Sequence, residues 1–250
     1  MKVFYLLIAT LFSVNSFSQD ASVLLKEALN LEIKFNEPEA LLKYKQVLVN
    51  EPNNYLALEK AAILSCRIGT RTVAIKEKRL IIESGFSFAK RAFKVDSISA
   101  NSFYLLALAS GRMTDVEEDN KKKIAFVRDS KLYADKALSI NPNYGRANFI
   151  EGKWHYEMVT LNWAKKIAIK ALYGGLPQPS LDKAIEYLEK CKKQEPYFVL
   201  NYYTLALAYK EADKAVQMIE VLKQLVKLPK RTYDDIEYIE DAKRWLENEK

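Results

Sequence analysis

From Leu161 onward, apolar residues stand three or four positions apart (Leu161, Ala164, Ile167, Ala168, Ala171, Leu172), while Lys166 and Lys170 fall on the other side. That spacing lays one buried stripe along a helix. It predicts a long helical run within Asn148 to Ser180. Gly174 ends the run, because glycine supplies the positive φ of a helix C-terminus. Pro177 and Pro179 keep it from resuming until a new helix opens at Leu181.

The helical period recurs along the rest of the chain between shared punctuation. Asn50-Glu51-Pro52-Asn53-Asn54, Asn141-Pro142-Asn143-Tyr144 and Gln194-Glu195-Pro196-Tyr197 each follow a helix-patterned segment with a small residue at its crossing point. The spacing fits a tetratricopeptide unit, about 34 residues in two antiparallel helices closed by proline. The first unit places Leu24, Ala28 and Leu31 on one helix and Ala40, Tyr44 and Val47 on the next. A second unit begins at Tyr55 and lacks the closing proline. The third runs from Ala100 to Pro142, the fourth from Gly145 to Pro196, and the fifth from Val199 to Leu228-Pro229. Units two to four exceed the repeat length, and the charged addition from Arg112 to Asp129 is expected to form extended helices or a helical excursion rather than a domain. Thr232 to Glu249 reads as a last helix with Thr232 as N-cap and Asp235 as a capping-box partner. Its polar surface suits the open apolar end of a stack of repeats. The expected fold is all-α: a tetratricopeptide-like α-solenoid of about five helix pairs plus a C-terminal capping helix, in one domain from Gln19 to Lys250.

The order Gly152, Trp154, Tyr156-Glu157, Leu161, Trp163, Leu172-Tyr173-Gly174-Gly175 and Pro177 resembles the regulator of microtubule dynamics family. The likeness extends over roughly Ala89 to Leu246 and is densest in this stretch. Lys153 stands where the family more often has Arg, and His155 where many members have Cys. The resemblance implies a helical protein with tetratricopeptide-like repeats and, for eukaryotic members, association with microtubules.

Composition agrees with an all-helical chain: 49% of the 250 residues are hydrophobic, enough for a sizeable core, with only seven Gly and seven Pro. Residues 1–18 combine Lys2, an apolar run from Val3 to Val14, and small residues ending Ser16-Phe17-Ser18. The run is too short to span a bilayer and suits a secretory signal cleaved after Ser18, leaving no stable membrane insertion. The expected location is therefore outside the cytoplasm, periplasmic or secreted. Loss of the signal removes Lys2 and no acid, so 38 − 32 leaves a net charge of +6 instead of +7. Lys and Glu are interspersed, apart from Lys121-Lys122-Lys123, which speaks against nucleic acid as a partner. Cys66 and Cys191 lie two repeats apart, too far for a disulfide, and read as small buried apolar residues.

Catalytic chemistry finds little support. There is one histidine, His155, and no nucleophile elbow, HExxH or phosphate-cradling loop. No cofactor or metal is expected, because His155 lacks a second His or nearby Cys and Glu117-Glu118-Asp119 lacks calcium-loop spacing. Trp154 and Trp163 read as core anchors. What remains is the inner groove of the stack, lined by the first helix of each unit. In that register Asn101, Tyr104 and Arg112 of unit three, Arg146, Phe149, Lys153 and Tyr156 of unit four, and Tyr203 and Lys210 of unit five face inward. An aromatic and basic groove suits a protein or extended peptide partner, acidic or ending in a free carboxylate. The function expected is thus a non-enzymatic exported scaffold. Two rivals stand beside it: a membrane-anchored, microtubule-associated regulator as the resemblance implies, and a hydrolase whose site is assembled across repeats.

Overall fold

The computed structural model describes residues 21–162, 166 and 177–248, all of them helical or in the turns between helices. The helices are α1 (21–33), α2 (Glu37–Asn50), α3 (Tyr55–Arg71), α4 (Ile75–Val95), α5 (Ala100–Met113), α6 (Asn120–Ile140), α7 (Gly145–Thr160), α8 (Leu181–Gln194), α9 (Val199–Glu211), α10 (Ala215–Leu225) and α11 (Asp234–Asn248). They pair as the punctuation predicts, α3 on α4, α5 on α6, α7 on α8 and α9 on α10, with α11 against the last pair. The chain divides into two compact units, one up to Asp96 and one from Ser97.

In the unit up to Asp96, small residues let α3 and α4 approach, with Ala57, Ala61, Ala89 and Ala92 fully buried around Leu58, Leu64 and Ile82. Tyr44 on α2 is fully buried, and its hydroxyl donates to Glu32 at 2.5 Å. Glu37, 1% exposed, is held by Arg67 at 2.6 Å and by Arg71, so its buried charge is fully paired.

In the unit from Ser97, α5, α7 and α9 touch in succession and carry α6, α8 and α10 on their other side. One close crossing is at Gly152. A Cβ built there would stand 2.6 Å from Leu188 Cγ and 3.0 Å from the Ala184 carbonyl, so α7 and α8 meet where no side chain fits. The proline turns are tied to the following helix: Asn148 donates to the Pro142 carbonyl at 3.1 Å and the Tyr202 hydroxyl to that of Pro196 at 3.0 Å. The long addition before Asp129 lengthens α6 to 21 residues. Glu117 and Asp119 cap that helix: Glu117 accepts from the Glu118 and Asp119 amides, and Asp119 accepts from Lys122 N–H.

One expectation is corrected. The helix opening this region does not run on through Leu161; α7 ends at Thr160 and Leu161 turns extended, with ψ 136°. Thr160 folds its hydroxyl back onto the Tyr156 and Glu157 carbonyls, closing the last turn from within. Ala164, Ile167, Ala168, Ala171, Leu172, Trp163 and Gly174-Gly175 lie outside the described residues, as do residues 1–18. Among the described residues, no helix is long and apolar enough to cross a membrane. Cys66 and Cys191 are buried thiols, not joined in a disulfide.

Candidate functional site

The nine residues expected on the inner face separate into two groups. The first group sits near the start of each first helix and is taken up in joining one helix pair to the next. Tyr104 and Phe149 each lie four residues into their helix and are buried, with 7% and 4% exposure. Each meets edge-on the aromatic residue that opens the following first helix: Tyr104 meets Tyr144 at 5.7 Å between ring centres, and Phe149 meets Phe198 at 4.8 Å. Asn101 accepts from the Tyr144 hydroxyl at 2.6 Å. Arg146 lies 3.7 Å over the Phe198 ring and pairs with Glu195 at 3.5 Å. Burial thus takes Tyr104 and Phe149 out of the solvent-facing set, because repeat stacking consumes that helical position.

The second group lies further along the same helices. Arg112, Lys153 and Tyr156 are half-buried and Lys210 is exposed. Arg112 approaches Asp115 at 3.8 Å, and Lys153 pairs with Glu157 one turn on. Burial raises the Tyr156 hydroxyl pKa, with Glu211 and Glu157 adding to the shift, which places acids of α7 and α9 beside this ring. Tyr203, four residues into α9, continues the series of Tyr104 and Phe149, but its aromatic partners come from α11: Tyr238 at 5.0 Å and Trp245 at 6.4 Å. Lys210 Nζ stands 5.0 Å over the Trp245 ring. Burial and a hydrogen bond with Asp241 raise the Tyr203 hydroxyl, and Tyr238, raised by burial and Asp234, feels Arg112 in the opposite sense. The face is therefore made of α5, α7 and α9, with α11 laid against α9.

Tyr238 and Trp245 went unforeseen because the last helix reads from sequence as a polar cap. Their seven-residue separation, which sets both on one stripe with Asp241, was the available signal.

Behind this face lies a buried charged cluster. Glu151 is fully buried and accepts from Lys131 at 2.9 Å, and Lys131 also reaches Asp135 at 3.0 Å. His155, 3% exposed, stacks on Tyr187 at 5.9 Å and is edge-on to Trp154. Its Nδ1 accepts from Ser180 N–H at 3.2 Å, so the neutral ring carries its proton on Nε2, 4.0 Å from Glu151. Burial, with Lys131 and Lys183 nearby, lowers the His155 pKa to about 4. Burial also pushes Glu151 up to about 7 against the pull of Lys131. Both members of this His–acid pair are buried in helix packing. Among the described residues, no group of three or more His, Cys, Asp or Glu is placed to hold a metal. Trp154, 4% exposed, is the core anchor its apolar run predicts.

A family model, Regulator of microtubule dynamics protein 1-3, matches residues 2–250. Regulator of microtubule dynamics protein 1 of Caenorhabditis elegans is 21% identical over 182 residues, 73% of this chain and 80% of that protein. Protein 3 of Xenopus laevis is 26% identical over 163 residues, 65% of this chain and 35% of the relative. Human protein 1 is 27% identical over 123 residues, 49% of this chain and 39% of the relative. The chain thus spans two fifths or less of these vertebrate relatives. A solved structure of a thermophilic TPR protein from Thermus thermophilus superposes with a TM-score of 0.65 at 15% identity, covering 90% of this chain and 99% of that one. That likeness carries the fold.

Proposed function

The chain belongs to the regulator of microtubule dynamics family, and on that premise we propose that it is a non-enzymatic scaffold that captures a protein partner on the face formed by α5, α7 and α9. The observation that carries this reading is the second group of residues. Arg112, Lys153 and Lys210 place cations, and Tyr156 and Tyr203 aromatic rings, on helices whose other side is spent in packing. Tyrosine offers large contact area at low entropic cost, and the cations select acidic groups.

Export is part of the proposal. The short apolar run and small residues before Gln19 support a cleaved signal, and a chain outside the cytoplasm would not meet tubulin. The microtubule role then stays with the relatives whose names carry it. Mass spectrometry of the N-terminus from producing cells should find Gln19 first; an intact Met1 or Lys2 on the mature protein overturns export and restores the membrane-anchored rival.

Partner capture is tested by co-purification from the native host with Lys153→Glu/Lys210→Glu. The double variant should keep its helical circular dichroism and lose most of the captured partner. Equal capture by both proteins would remove this face from the reading.

A further inference from the structure

The terminal helix has two working sides. Asp235, Ile239 and Ala242 are buried against the last helix pair, and these suffice to close the apolar end of the stack. Tyr238, Asp241 and Trp245 form an adjoining stripe at i, i+3 and i+7. They reach the α9 part of the proposed partner face: Tyr238 and Trp245 onto Tyr203, and Trp245 under Lys210. Residues 234–248 hold six acids against two bases, and Lys210 of α9 stands over the Trp245 ring.

We propose that α11 is a built-in occupant of the partner face. The partner it gives way to is an acidic amphipathic helix of another protein with aromatic residues seven positions apart. The proposal rests on the scaffold reading and deepens it, since it names both the shape of the ligand and the element that competes with it. Tyr203 shows why competition follows. In the equivalent place on α5 and α7 the aromatic is buried by the next first helix, whereas on α9 it is half-buried and covered by Tyr238 and Trp245, two side chains that release when their helix tilts. The cap itself is held by Ile239 and Ala242, so the stripe can be weakened without exposing the core.

The probe is a fluorescein-labelled peptide of residues 232–248, whose binding to full-length chains is read by anisotropy. Wild type should bind it weakly. Tyr238→Ser/Trp245→Ser should bind it at least tenfold more tightly, and adding Lys210→Glu and Tyr203→Ser to that variant should abolish the gain. Tyr238→Phe/Trp245→Phe keeps the aromatic contacts and should bind as weakly as wild type. Hydrogen exchange should be faster in residues 234–248 of the Ser variant and unchanged in α9 and α10, which separates release of the stripe from unfolding. The proposal falls if the Ser variant binds the peptide no better than wild type while its α11 exchanges faster. If that same variant still captures the native partner through Lys153 and Lys210, the scaffold reading survives and only the competition by α11 is lost.

Discussion

Gly152 and Glu151 are neighbours in sequence and show the two ways a buried position constrains a chain. α7 and α8 cross closely at Gly152, and any Cβ must displace Leu188 or the Ala184 carbonyl. Gly152→Leu should over-pack the crossing and cost about 1–3 kcal/mol, read as a lowered midpoint in chemical denaturation; an unchanged midpoint would remove Gly152 from the crossing. Glu151 is constrained by charge. Its carboxyl titrates near 7 in the fold because burial outweighs Lys131, well above the 4.5 of an ordinary Glu. The folded state therefore holds a proton that the unfolded chain has released. The resulting stabilisation is complete below about pH 4.5 and disappears as pH rises through about 7. His155 works in the opposite sense: its pKa is lowered, so its contribution is present above 6.5 and is lost as pH falls toward 4. Measured against Glu151→Gln, wild type should gain relative stability on going from pH 7 to 4.5, by at most about 3 kcal/mol. A difference between the two proteins that is flat over that window would contradict the burial of an acid-linked proton at Glu151.

Helix ends decide the elements. Asp119, Asn54 and Ser180 each accept an amide three residues on and start α6, α3 and α8. Asp235 does the reciprocal job for α11. Its carboxylate accepts from the Arg231 and Thr232 amides, both at 2.8 Å, while remaining 5% exposed. Asp235→Ala should remove the acceptor of both amides and destabilise α11 by about 1–2 kcal/mol. The expected sign is faster hydrogen exchange confined to residues 231–248. Uniform exchange across the whole unit from Ser97 would instead mean that the cap governs global stability.

At the scale of the molecule, aromatic joints tie successive pairs of the unit from Ser97 and set what a charge change costs. Arg146 stacks on Phe198 and pairs with Glu195, so it belongs to the joint between the fourth and fifth pairs. Arg146→Glu should therefore cost about 1–2 kcal/mol through lost stacking and repulsion from Glu195. Lys153→Glu, which exchanges a helical pair with Glu157 for a like-charge contact, should cost about 0.5 kcal/mol. Thermal denaturation of the two single variants distinguishes them; equal midpoints would place Arg146 outside the joint.

The residues alone determined the repeat architecture, because a repeat writes itself locally. Apolar period, proline punctuation and small residues at crossings are properties of neighbouring positions, and Ala40, Tyr44, Ala184 and Leu188 are buried as that pattern requires. Which inward-facing residues remain open was decided by tertiary structure. Tyr104 and Tyr203 occupy the same place in their helices and look alike in sequence, yet one is sealed by the next repeat and the other lies under the terminal helix. Local pattern specifies the side of a helix, whereas exposure depends on what a distant segment brings against it. Burial of Glu151 and His155 followed the same rule, since their perturbed protonation comes from α6 and α8 closing around them.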